Sequence, residues 1–113
     1  MLPGTRWLLT QLDGRKVDAD GRPYIELDAV DGQVTGFGGC NRLMGSFDVS
    51  GDHLRFGPVA RTLMACSEEK MRMEDAFLAA LHATNRFGID GRSLTLLDDE
   101  RVVARLDSTA AHE

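Results

Sequence analysis

The sequence predicts an α+β domain in which a strongly curved antiparallel sheet of about eight short strands, a partial barrel, packs on one α-helix. Three observations carry that expectation. Asp-Gly pairs recur at Asp13-Gly14, Asp20-Gly21, Asp31-Gly32 and Asp90-Gly91, with a reversed Gly51-Asp52 among them, and such pairs tolerate the positive φ of tight hairpin turns. Short segments rich in β-branched and aromatic residues lie between these turns. One stretch only, from Ser67 to about Asn85, lacks Gly and Pro and consists of good helix formers.

Taken in order, the expected strands are 7–12, 24–27, 33–37, 45–49, 53–56, 86–89, 93–97 and 102–106. In Tyr24-Ile25-Glu26-Leu27-Asp28-Ala29 the residues Ile25, Leu27 and Ala29 share one face and the acids the other, the pattern of a half-buried strand. In the helix, Met73, Phe77, Ala80, Leu81 and Thr84 fall on one stripe. Ser67 is placed to cap its N-terminus, and Glu68 and Glu69 suit the positive end of its dipole; Lys70 stands where a capping box needs Glu or Gln. Two-residue hairpins demand an antiparallel sheet, and one helix covers eight strands only if the sheet curls around it.

The chain has 113 residues, a net charge of −5 and 42% hydrophobic residues. A chain of this size buries roughly two thirds of its unfolded surface, enough for one core; the domain is expected to span 2–107, with a frayed tail at 108–113. An acidic balance without a Lys/Arg run argues against nucleic acid and anionic membrane as partners. No apolar run approaches the roughly 18 residues of a membrane span. Met1-Leu2-Pro3-Gly4-Thr5 has neither the basic nor the apolar region of an export signal, so the sequence fits either a cytoplasmic protein or a trimmed, exported one.

Gly36-Phe37-Gly38-Gly39-Cys40-Asn41-Arg42 invites a phosphate-loop reading, but Asn41 stands where a dinucleotide fingerprint needs Gly or Ala, and a strand rather than a helix follows. A glycine-permitted bend is the preferred reading. Cys40 and Cys66 are the chemically interesting pair. They admit a disulfide, the preferred reading, or two buried thiols in a reducing compartment. Zinc is disfavoured because His53, His82 and His112 have no partner spacing to either cysteine. A thiolate at Cys66 favoured by the helix dipole lacks a base, His82 being about four turns away. Asp18, Asp20, Asp98, Asp99 and Glu100 read as solvated turns rather than a calcium loop. Met64, Met71 and Met73 are expected to pack near the helix start, with a pliable partner groove as the alternative, and Trp7 to pack against the helix, an exposed indole pointing instead to ligand binding. No catalytic, cofactor-binding or metal-ligating set is assigned, and no cofactor is expected.

Several segments together resemble the META domain family, which includes the heat-shock protein HslJ. They are Leu2-Pro3-Gly4-Thr5-Arg6-Trp7-Leu8-Leu9 with Leu12-Asp13-Gly14, Gly38-Gly39-Cys40-Asn41-Arg42 with Gly45-Ser46-Phe47, Thr62-Leu63-Met64-Ala65-Cys66, and Glu74-Asp75-Ala76-Phe77. The resemblance implies a curved sheet with one helix, occurrence in bacterial envelope lipoproteins or secreted domains, a link to heat or antibiotic stress, and no established catalytic activity. The family's marked positions fall on Trp7, Gly39, Cys40, Asn41, Gly45, Thr62, Met64 and Cys66, nearly all with structural explanations: Asn41 satisfies backbone groups at the bend or adopts αL geometry, and Thr62 bonds back to the chain before the helix. The function these readings lead to is a non-enzymatic, monomeric module of the bacterial envelope or a secreted one, binding a protein or another envelope component. The alternative is a thiol-based redox or stress sensor using Cys40 and Cys66.

Overall fold

A computed structural model describes residues 6–17, 22–28 and 30–108 of the chain. Strand β1 (Arg6–Leu12) turns at Asp13-Gly14, whose φ angles of +52° and +84° are those of a primed hairpin turn, into the two-residue β2 (Arg15–Lys16). Gly32 ends the turn between β3 (Tyr24–Asp28) and β4 (Gln33–Phe37), and Gly51-Asp52 joins β5 (Arg42–Ser50) to β6 (His53–Phe56). After the short β7 (Ala60–Arg61) comes the helix α1 (Glu68–Ala83). Then follow β8 (Arg86–Asp90), β9 (Ser93–Asp98) and β10 (Arg101–Ser108). The Asp20-Gly21 turn and Ala29 lie outside the described residues.

The sheet is a closed barrel, where the sequence suggested a partial one. Strands β1, β3, β4, β5, β6, β8, β9 and β10 pair antiparallel in that order, and β10 pairs back onto β1. Closure depends on β1 serving two neighbours: Arg6, Trp7 and Leu8 pair with β3, while Trp7 to Leu12 pair with β10 across a bulge between Leu9 and Gln11. A bulge of this kind adds the twist that closing a sheet requires, and closure removes the free edges of an open sheet. The join brings Trp7 opposite Ser108, a pairing between chain ends that no local pattern discloses. It also extends β10 to Ser108, whose N–H donates to the Arg92 carbonyl at 2.8 Å, so pairing persists past the point where the sequence loses its apolar period.

The alternating residues Leu9, Ile25, Leu27, Val34, Leu43 and Leu54 point into the barrel with Leu94, Leu96 and Leu106 from the last two strands. Helix α1 completes this core with Phe77, Ala80 and Leu81. Its N-cap is Ser67, whose hydroxyl accepts from the Lys70 N–H at 3.3 Å, and Glu68 and Glu69 sit in its first turn, as the sequence indicates. At its other end the Thr84 hydroxyl donates to the Ala80 carbonyl at 2.8 Å, and His82 Nε2 accepts from the Val59 N–H at 3.3 Å. Just past the helix end lies a thin seam of the barrel. Strands β6 and β8 share one register pair, His53 with Arg86, and Asn85 bridges further by accepting from Leu54 N–H and donating to the Leu97 carbonyl.

Phe77 is the largest fully buried side chain, so truncation leaves a cavity that the surrounding strands, locked by closure, cannot collapse to fill. Phe77→Ala should lower unfolding free energy by about 3–5 kcal/mol, measured by urea denaturation, whereas truncation of the exposed Leu63 should change it by less than about 0.5 kcal/mol.

Candidate functional site

The polar residues that the sequence singles out converge where the β4–β5 turn, the segment after β7 and the helix meet. Residues 38–41 form the turn, closed by a 2.9 Å bond from the Gly38 N–H to the Asn41 carbonyl, with Gly39 at φ +115°. The centre of the meeting point is Glu74, which no sequence motif marks as a site residue. Its side chain is 0% exposed. One carboxylate oxygen accepts the backbone N–H groups of Cys40 (3.2 Å) and Asn41 (2.5 Å). The other accepts Asn41 Nδ2 (2.8 Å) and the Arg61 guanidinium (3.1 Å). Arg61 is shared with Asp75 at 2.7 Å.

Asn41, itself buried, carries the network onward. Its Oδ1 accepts the Thr62 hydroxyl at 3.0 Å and the Met64 N–H at 2.6 Å, while Thr62 Oγ1 accepts the Arg42 N–H at 3.1 Å. Thr62 thus bonds back to the chain before the helix, and Asn41 satisfies the Met64 backbone N–H. The same convergence places Cys40 and Cys66 with Cα atoms 6.0 Å apart, and they form a disulfide. Joining residues 26 apart, this crosslink stabilises the fold by about 3.5 kcal/mol in the chain-entropy description. No thiolate remains at the helix N-terminus in this state.

Two glycines make room for the assembly. A Cβ on Gly38 would stand 2.6 Å from Glu74 Cγ, and one on Gly45 would stand 2.8 Å from the Pro58 carbonyl oxygen. The first position admits the carboxylate; the second lets the segment leading to Arg61 lie against β5. The 38–41 turn is therefore a bend shaped around an internal anion.

The electrostatics of Glu74 oppose two effects. Burial pushes its pKa up, but the Asn41 side chain, the Asn41 and Cys40 backbone N–H groups and Arg61 together hold it below the ordinary value of 4.5. The ionised form is the one the fold binds. All four hydrogen bonds are to the protein's own groups, so the carboxylate is engaged in holding chain segments together rather than turned toward a substrate.

The other marked residues separate from this cluster. Trp7 is buried in the barrel core on β1, a strand that touches α1, which excludes an exposed indole. Met64 corrects the expectation of packing: it is 60% exposed, and Leu63 beside it is 94% exposed. What is held there is backbone, through the Met64 N–H, so the side chains project outward. Met71 and Met73 are partly buried. Among the described residues no group of three or more His, Cys, Asp or Glu is placed to hold a metal ion, and no helix is long and apolar enough to cross a membrane. The signal that would have found Glu74 is its spacing: it lies three and seven residues before Phe77 and Leu81, so a carboxylate occupies the apolar stripe.

Comparison with known proteins extends these observations. A family model described as the META domain matches residues 1–110. The fold is similar to the NMR structure of a protein from Burkholderia xenovorans, with 31% identity, a TM-score of 0.78 and coverage of 96% of this chain and 83% of that one. It is also similar to the crystal structure of a DUF4847 family protein from Bacteroides vulgatus, at 14% identity and a TM-score of 0.72, covering 95% of this chain and 94% of that one. No curated protein matches.

Because Glu74 is favoured in its ionised form, the stability it contributes is fully present above about pH 4.5 and is lost as the pH falls through its lower folded-state pKa. Glu74→Gln keeps the shape but sets an amide N–H₂ against N–H donors. It should destabilise the domain by about 3–5 kcal/mol at pH 7 and flatten the acid limb of the stability–pH curve, both read from denaturant unfolding between neutral and acid pH. An unchanged acid limb would assign that limb to other carboxylates.

Proposed function

The chain belongs to the META domain family, and from that premise we propose a non-enzymatic binding module of the bacterial envelope that contributes to heat or antibiotic tolerance by engaging a protein through the Thr62-Leu63-Met64-Ala65-Cys66 loop. The observation that carries this reading is the contrast within the loop. Its backbone is fixed from inside by Asn41 and the disulfide, while Leu63 and Met64 face solvent. Met44, on the neighbouring β5 and paired in register with Ala60, is also exposed. Apolar side chains on a fixed backbone lose little conformational freedom on binding, and buried apolar anchors dominate most protein interfaces.

The envelope assignment draws on the disulfide, since such bonds persist in oxidising compartments. The rival reading, a redox sensor at Cys40 and Cys66, differs in how readily the bond opens. Thiol labelling in glutathione buffers distinguishes the two: a bond still closed at about −250 mV, within the cytosolic range, favours the structural role, and one opened there favours sensing.

In the native host, a strain lacking the gene should regain tolerance with the wild-type protein and not with Leu63→Asp/Met64→Asp, whose unfolding free energy should stay within about 0.5 kcal/mol of wild type. Equal rescue by both proteins, or fractionation of the protein to the cytoplasm, would overturn the proposal.

A further inference from the structure

A second surface, separate from the loop, has the character of a ligand site. Helix α1 does not pack along its whole length against the barrel. Between its Glu69–Ala83 face and the β1–β2 hairpin runs a groove made of two adjoining clefts that share Leu12, Asp13 and Ala76. The larger, about 370 Å³, is lined on its apolar side by Leu12, Val17, Met73 and Ala76. The smaller, about 170 Å³, continues along Ala79, Ala80, Ala83 and Val103, with Arg101 beside Asp13 on its rim. At 1.5 Å per residue the helical wall from position 69 to 83 is about 21 Å long. Its alanines offer only methyl groups, so a thin chain can lie close to the helix axis, where a bulky partner side chain would find little depth.

Charge at the mouth is uneven, in a protein whose net charge is −5. Arg15 and Lys16 on β2 and Arg72 on the helix line the larger cleft. Among the described residues Arg15 and Lys16 make no ion pair, and Arg72 has only an exposed 3.5 Å contact to Glu68, a weak attachment. Asp13 and Glu69 are the acids lining the same cleft, Asp13 in an exposed 3.0 Å contact with Arg101, and with Arg101 on the smaller cleft four cations face these two acids among the described residues. A long apolar floor ending in an excess of positive charge among the described residues is complementary to one kind of molecule: an unbranched chain with an anionic end.

We propose that this groove binds a single acyl chain carrying a carboxylate, with the chain along Ala76, Ala80 and Ala83 and the carboxylate at Arg15, Lys16 and Arg72. This holds whether or not the Leu63-Met64 loop engages a protein. Dodecanoate, titrated below its micelle concentration into ¹⁵N-labelled protein, should give saturable amide shifts concentrated at Val17, Ala76, Ala79 and Ala83. Arg15→Glu/Lys16→Glu, on an exposed hairpin where folding is not at stake, should weaken binding roughly tenfold or more, as loss of charge-assisted contacts does. Ala79→Trp should abolish the shifts by filling the groove. Dodecyl maltoside, with the same chain and an uncharged head, should bind at least about tenfold more weakly. Shifts centred elsewhere, equal binding of the uncharged detergent, unchanged affinity in the charge-reversed variant or no saturable binding would each overturn the proposal.

Discussion

The arrangement of this molecule depends on a carboxylate buried where three chain segments meet. An ionised group without solvent must find its donors within the protein, and Glu74 finds four, from Cys40, Asn41 and Arg61. The donors belong to the β4–β5 turn and to β7, whereas the acceptor belongs to the helix. Sliding the helix by one residue along the barrel would leave an anion and several N–H groups unpaired in the interior, a far larger penalty than the loss of a few apolar contacts. We read the cluster as the device that fixes helix register, with the hydrophobic stripe of Phe77, Ala80 and Leu81 supplying most of the attraction.

Several other features follow from that registration. With the helix fixed, Ser67 and Cys66 lie beside the β4–β5 turn, which brings the two sulfurs into bonding distance. The chain between β7 and the helix must then cross over Asn41, whose side-chain oxygen holds Met64 by its backbone. The loop's conformation is set from beneath, and its side chains are left with no interior place. Exposure of Leu63 and Met64 is thus a consequence of how the loop is anchored, which is why a binding role for it is a reading of its chemistry rather than of its fold.

The barrel supplies the frame on which this happens. Closure through β1 and β10 protects every strand of the ring except at the thin β6–β8 seam, where Asn85 and the bond from the Phe87 N–H to the Asp52 carbonyl supplement the single register pair. One helix therefore serves two ends of the structure: its first turns are tied to the glycine bend and its last turn, through His82, to Val59 in the segment after β6. The face between those ties is not drawn against the β1–β2 hairpin, and the groove is the space left by two anchoring points at opposite ends of a rigid rod.

Much of this was legible without coordinates because it is governed by neighbours in sequence. Asp13-Gly14 and Gly51-Asp52 mark turns by backbone preference, the alternation at Ile25 and Leu27 marks a buried face, and Ser67 with Glu68 and Glu69 marks a helix start. The META family motifs likewise placed Cys40, Asn41, Thr62 and Cys66 among the residues that matter. What the sequence left undecided was every relation between distant residues: the pairing of Trp7 with Ser108 that closes the barrel, the choice between a disulfide and two thiols, and the burial of Glu74, which by residue type alone belongs on a wet surface. Local patterns determine which elements form, because turn geometry and side-chain period act over a few residues. Only the tertiary structure decides which polar groups end up inside together, because an anion's burial is settled by donors that come from elsewhere in the chain.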